Sequence, residues 1–191
     1  IGVWSYWLAR NGCQVEAFEP NPKIFARLAA GASKRINCHA IALSNQDGEA
    51  ELRVPKRRRG YSNQGASLST ISAGSNYGSL SVVTRKLDSY GFSDISFIKI
   101  DVEGFELQAL QGAKETLSRC RPVMIIEMEE KHHQQPIEKL LAAVEEYGYE
   151  AFALRHGQLC RAAAIDFDAH HRQPASRKDY IFNFIFLPRS S

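Results

Sequence analysis

The chain has only four cysteines in 191 residues, and no two stand in a Cys-x-x-Cys pair. Cys13, Cys38, Cys120 and Cys160 are too scattered to frame a zinc site or a redox motif, so reduced thiols in a cytoplasmic setting are expected. No apolar run approaches the length of a membrane span and no signal-peptide pattern opens the chain, so no membrane partner is expected. Excess charge of one sign is also wanting: a net charge of +3 gives no field argument for nucleic acid as a partner. The one basic cluster, Lys56-Arg57-Arg58-Arg59, reads either as a solvated loop or as a clamp for an acidic or phosphorylated acceptor. An initiating methionine is missing too. The chain opens at Ile1-Gly2, as though in the middle of a motif.

What is present suits a single α/β domain over residues 1–191, truncated at its amino end. Apolar residues make up 44% of the chain, enough for an ordinary buried core. Trp4, Trp7 and Leu8 fall at helical spacing over Val3 to Arg10, and Gln14 to Phe18 alternates as a strand does. Glu19-Pro20-Asn21-Pro22 ends that strand and sets up a helix carried on Ile24, Phe25, Leu28 and Ala29. Asn37 to Leu43 reads as one further strand, followed by an Asp47-Gly48 turn and a hairpin-like strand over Ala50 to Val54. Pro55 to Ser79 has no periodicity, and long loops of this kind in compact domains are functional or disordered.

Leu80 to Leu87 regains strand character. Then come a buried strand over Ile95 to Ile100, a helix over Phe105 to Leu117, and a strand over Val123 to Ile126 that ends at Glu127. A helix on Ile137, Leu140, Leu141 and Val144 leads to strands over Tyr149 to Leu154 and Tyr180 to Leu187. The alternation implies a doubly wound, mostly parallel sheet with an antiparallel final strand.

The chemistry concentrates where apolar strands stop at acids, because ligands of open α/β sheets bind beyond the carboxyl ends of the strands. Phe97-Ile98-Lys99-Ile100 runs directly into Asp101-Val102-Glu103-Gly104-Phe105-Glu106. Asp101 is the first candidate for orienting groups at a reacting centre and Glu103 the second; the alternative for each is service at the start of the next helix. Glu19 offers paired acceptors that match a vicinal diol, or an acid favoured near a helix start. Glu127 could face the same ligand, but with no further group at diagnostic spacing no metal site is expected. His132-His133 and His170-His171 are expected to be exposed, and Asn183, inside an apolar strand, needs a partner or an acceptor contact.

Taken together, Gly2, Val15-Glu16-Ala17-Phe18-Glu19-Pro20, Ile41-Ala42-Leu43-Ser44 with Gly48, Ile98 to Glu106, and Asn183-Phe184 resemble the FkbM-type methyltransferases over essentially the whole chain. The resemblance implies a Rossmann-like domain that binds S-adenosylmethionine and methylates a hydroxyl on a sugar or natural-product acceptor, a small molecule or a glycan. It implies that Gly2 lies against the methionine part of the cofactor, Glu19 meets the ribose, Ala42 and Leu43 lie near adenine, and Asp101 stands close to the transferring methyl. Members of that family carry a strand and a glycine-rich turn ahead of the position matching Ile1, so the first strand is expected to be missing here. Two other readings remain: a non-catalytic binding module that keeps the fold, and a nicotinamide-dependent oxidoreductase that would share Glu19.

Overall fold

The computed structural model describes residues 2–57, 60–61, 66–68 and 77–190. Its first helix, α1 (Val3–Arg10), starts after Gly2 in the left-handed region and ends at Asn11. Strand β1 (Val15–Phe18) is joined through α2 (Pro22–Ala30) to β2 (Ile36–His39), and the two strands pair in parallel. The start of α2 follows from its residues. Asn21 Oδ1 accepts the Lys23 amide at 3.0 Å, and Pro22 occupies the first helical position, where a missing N–H costs nothing. Leu28 then packs with Ala9, Ala17 and Ile36 in a small core.

The single strand expected over Asn37 to Leu43 is two. β2 ends at His39, the chain bends, and β3 (Ala42–Leu43) enters another sheet. That sheet contains β4 (Gly48–Arg57), β5 (Gly60–Tyr61) and β6 (Tyr77–Arg85), ordered β3-β6-β4-β5. β4 and β6 pair antiparallel from Gly48 opposite Thr84 to Pro55 opposite Tyr77, so both ends of the expected Pro55 to Ser79 loop are strand. Most of that loop, and Arg58 and Arg59 of the basic cluster, lie outside the described residues, as does Ile1. Ala42, Leu52, Val54 and Val82 form this sheet's own core.

The main sheet begins with β7 (Phe97–Ile100), reached through a short 3-10 turn at Leu87–Tyr90. Where one helix was expected over Phe105 to Leu117 there are two, α3 (Glu106–Gln111) and α4 (Lys114–Cys120). The break lies at Gly112, whose missing side chain leaves room for the Ser44 carbonyl: a Cβ there would stand 1.9 Å from that oxygen. β8 (Val123–Glu127), α5 (Glu130–His133), α6 (Ile137–Glu145), β9 (Tyr149–Arg155), β10 (Gln158–Arg161) and β11 (Asn183–Pro188) complete the chain.

The order is β10-β9-β11-β8-β7. β7 and β8 are parallel, and the final strand is antiparallel to both β8 and β9. It lies inside the sheet, between β8 and β9, and among the described residues the edges are β10 and β7. The β9–β10 hairpin turns on His156 and Gly157, both at positive φ, as a two-residue turn matched to strand twist requires. Leu110, Met124, Ile126, Leu140, Val144, Phe184 and Phe186 fill the core between this sheet and its helices. β1 is hydrogen-bonded only to β2, and β7 only to β8, among the described residues. No described helix is long and apolar enough to cross a membrane.

Candidate functional site

Strand register places the acids. Ile100 lies opposite Ile126, so Asp101 comes beside Glu127 one step further on, and Glu127 lies opposite Asn183 of β11. Asp101, Glu127 and Asn183 therefore form a polar row across the ends of three adjacent strands, and alternation sets Lys99 on the same face as Asp101. The neighbouring residues of the other face, Ile126 and Phe184, are fully buried in the core.

The row is crowded with charge. Surrounding protein pushes the Asp101 carboxyl above its usual range; Lys99 opposes this, and Glu103, Glu106 and Glu129 add to it. Burial, then the Asp101 charge, pushes Glu127 up to about 7. Burial likewise lowers Lys99, although the carboxylates resist, and its Nζ donates to the Ile100 carbonyl at 2.9 Å. A carboxyl that half-holds its proton near neutrality, beside a second carboxyl, can take up or release a proton at this end of the sheet.

Behind the row lies the turn between β7 and α3. Glu103 has φ 53° and Gly104 φ 98°. A Cβ on Gly104 would come 2.7 Å from the His132 carbonyl oxygen, so the turn closes against α5 only with glycine there. Ser67 donates from its hydroxyl to the Glu103 carbonyl at 2.6 Å.

Glu103 precedes the helix rather than lying in its first turn, and its Oε2 is 2.8 Å from His132 Nε2. That contact, against the opposing effect of burial, lowers the Glu103 carboxyl and, with Glu129, raises His132 to about 9. Burial alone would raise Glu129, but hydrogen bonds from His132, Lys131 and Tyr180 outweigh it and hold Glu129 at about 2. Glu106 does sit in the first turn of α3, yet it is buried: Oε1 accepts the Gly104 amide at 3.0 Å and Oε2 lies 2.6 Å from His133 Nε2. The expectation of exposed histidines fails for this reason. His133 is buried on Glu106, His132 is half-buried on Glu103, and His171 is buried with Nδ1 2.7 Å from the Ile181 carbonyl.

The other expected site residues are spread over separate elements. Glu19 follows β1, half-buried; burial raises it, while the Asn21 amide, donating to Oε1 at 2.8 Å, pulls it down. Ala42 and Leu43 form β3. Gly2 has φ 68°, and a Cβ there would press on the Tyr6 ring at 2.7 Å. What draws three of these places together is the main core, against which Phe18, Leu43 and Ile100 all pack, next to Glu19, Ala42 and Asp101 respectively. Glu129 and Tyr180 were not singled out from the sequence, and His132 was expected to be exposed. The only signal was the density of charge in Glu127-Met128-Glu129-Glu130-Lys131-His132 directly after a strand. Among the described residues, no three His, Cys, Asp or Glu side chains cluster as a metal site.

A family model described as "Methyltransferase FkbM domain" matches residues 1–151. The chain is similar to the 2-O-methyltransferase NoeI of Sinorhizobium fredii, 29% identical over an alignment of 128 residues, with 59% of this chain and 52% of that protein covered. It also resembles the crystal structure of methyltransferase FkbM from Methylobacillus flagellatus KT, with a TM-score of 0.53 and 17% identity over 96% of this chain and 40% of that one. This likeness shows a shared Rossmann-like fold. The chain thus spans about half the length of the curated relative and less of the solved one.

Proposed function

We propose, from the premise that this chain belongs to the FkbM methyltransferase family, that it is an S-adenosylmethionine-dependent O-methyltransferase acting on a hydroxyl of a sugar or natural-product acceptor. The observation that carries the reading is the row of Asp101 and Glu127, at the carboxyl ends of β7 and β8, with Asn183 at the start of the antiparallel β11 beside them. The relative's description as a 2-O-methyltransferase supports oxygen as the atom methylated. Four free cysteines support a reducing, cytoplasmic setting.

The residues fit the cofactor in the chemistry of their donors. Glu19 is a half-buried carboxylate at a strand end, with Oε1 fixed by a backbone amide, a suitable acceptor for ribose hydroxyls. Gly2 would let the backbone approach the methionine part, and Ala42 and Leu43 would offer an apolar surface to the base. When bound, S-adenosylmethionine supplies a methyl carbon activated by its sulfonium.

The chain's own task is alignment and proton removal. Asp101 orients the acceptor hydroxyl, which is worth a large share of the barrier when reacting atoms are pre-positioned. Glu127, raised to about 7, would take the hydroxyl proton. Glu103 supports this end of the sheet by holding His132 charged.

Calorimetric titration of S-adenosylmethionine, followed by methyl transfer to a panel of hydroxyl acceptors, tests the reading. Asp101→Asn should lower turnover by about a hundredfold or more. Its unfolding midpoint should not fall below that of the wild type, because burial disfavours the Asp101 charge that the change removes. Unchanged turnover would remove Asp101 from the mechanism, and failure to bind the cofactor would favour a non-catalytic module.

A further inference from the structure

Beside the start of β11 lies a cavity of about 130 Å³, lined among others by Arg155, His156, His170, Lys178, Tyr180 and Asn183. Arg155 ends β9 and His156 begins its turn into β10, while His170, Lys178 and Tyr180 come from the segment leading into β11, whose first residue is Asn183. β8 and β9 are both antiparallel to β11 and so run the same way, which puts the cavity at the sheet end that bears Asp101 and Glu127. Two residues join the places directly. Asn183 is the cross-strand neighbour of Glu127, and the Tyr180 hydroxyl donates to Glu129.

The lining is cationic and short of partners. Neither Arg155 nor Lys178 forms an ion pair among the described residues. The acid in the lining, Asp179, is already engaged by the Ser176 hydroxyl at 2.7 Å. His170 Nδ1 is buried without a hydrogen-bond partner among the described residues, and buried polar atoms left in that state are few in any protein. A guanidinium fork, an ammonium and an unmet ring nitrogen around one small space suit an oxyanion.

We propose that this cavity receives an anionic substituent of the acceptor, a phosphate monoester or a carboxylate, bound by Arg155, Lys178 and His170. The assignment rests on the methyltransferase reading and narrows its substrate class. Hydrogen-bonded strands lie about 4.8 Å apart, so Asn183, two strands from Asp101, is about 10 Å away from it. The methylated hydroxyl and the anionic group are therefore separated by roughly one sugar ring, as in a sugar phosphate or a uronic acid.

The test follows the ring signals of His156 and His170 by NMR while inorganic phosphate, and separately acetate, is added at constant ionic strength. Saturable shifts are expected, with affinity weakened about tenfold or more in the Arg155→Gln/Lys178→Gln variant. Phosphate as the tighter probe assigns a monoester; acetate at equal or greater affinity assigns a carboxylate. Shifts that never saturate, or equal affinity in wild type and variant, overturn the proposal. Should the double variant not fold, Lys178→Gln alone serves, because Lys178 is exposed and outside any helix or strand.

A parallel titration with S-adenosylmethionine separates the two readings. Cofactor binding without anion binding sinks this inference alone. Anion binding without cofactor binding sinks the methyltransferase reading and leaves the anion site.

Discussion

Glu127 and His132 are both held away from their ordinary titration ranges, and each leaves a signature in stability. Glu127 is raised from 4.5 to about 7, so the folded protein holds an extra proton between those values. Stability is then greatest below 4.5 on this account and falls as pH rises through 7. Glu127→Gln, neutral throughout, should flatten that part of the profile and be the more stable protein above pH 7; denaturant unfolding across pH checks it, and an unchanged slope would sink it. His132 is raised from 6.5 to about 9, so its contribution is fully present below 6.5 and is lost as pH climbs through 9. His132→Gln should abolish that alkaline loss, measured the same way, and a persistent loss would clear His132 of it. The place of Asp101 and Glu127 at neighbouring strand ends was legible because apolar strands stop at them. The Glu129, His132 and Tyr180 network was not, since Tyr180 is 51 residues from Glu129 and no local pattern links them.

Among elements, glycines decide where helices break and turns close. Gly112→Ala should cost about 3 kcal/mol or more, because its Cβ would meet the Ser44 backbone, which cannot swing aside as a side chain could. Thermal or denaturant unfolding gives the value, and a loss well under that would mean that the two segments separate easily. The same contact explains why Phe105 to Leu117 reads as one helix: Leu107, Leu110 and Leu117 keep helical spacing, but the reason for the break lies in Ser44, just past β3 and far away in sequence. Asn37 to Leu43 misleads in the same way. Its alternation suits both β2 and β3, and only pairing with β6 shows that the chain has changed sheets. β10 escaped notice because Gln158-Leu159-Cys160-Arg161 is short, and its residues are mostly exposed.

For the whole molecule, the sheet order separates strands with two partners from strands with one. β8 and β11 are paired on both sides and lie over the fully buried Met124, Ile126, Phe184 and Phe186. Their amides should exchange with solvent most slowly, and those of β1 and β2 faster, because the latter share one ladder over a small core. Equal protection across all four would contradict this. The α/β class and the antiparallel final strand were legible from alternating periodicities; the interior place of β11 was not, because periodicity carries no strand order. That place has a consequence for the order of synthesis. β8 and β9 are not bonded to each other and meet only through β11, which leaves the ribosome after both of them. Until it does, each has an open edge facing the gap, and the nascent chain carries two adhesive borders that β11 must reach before a neighbouring chain does.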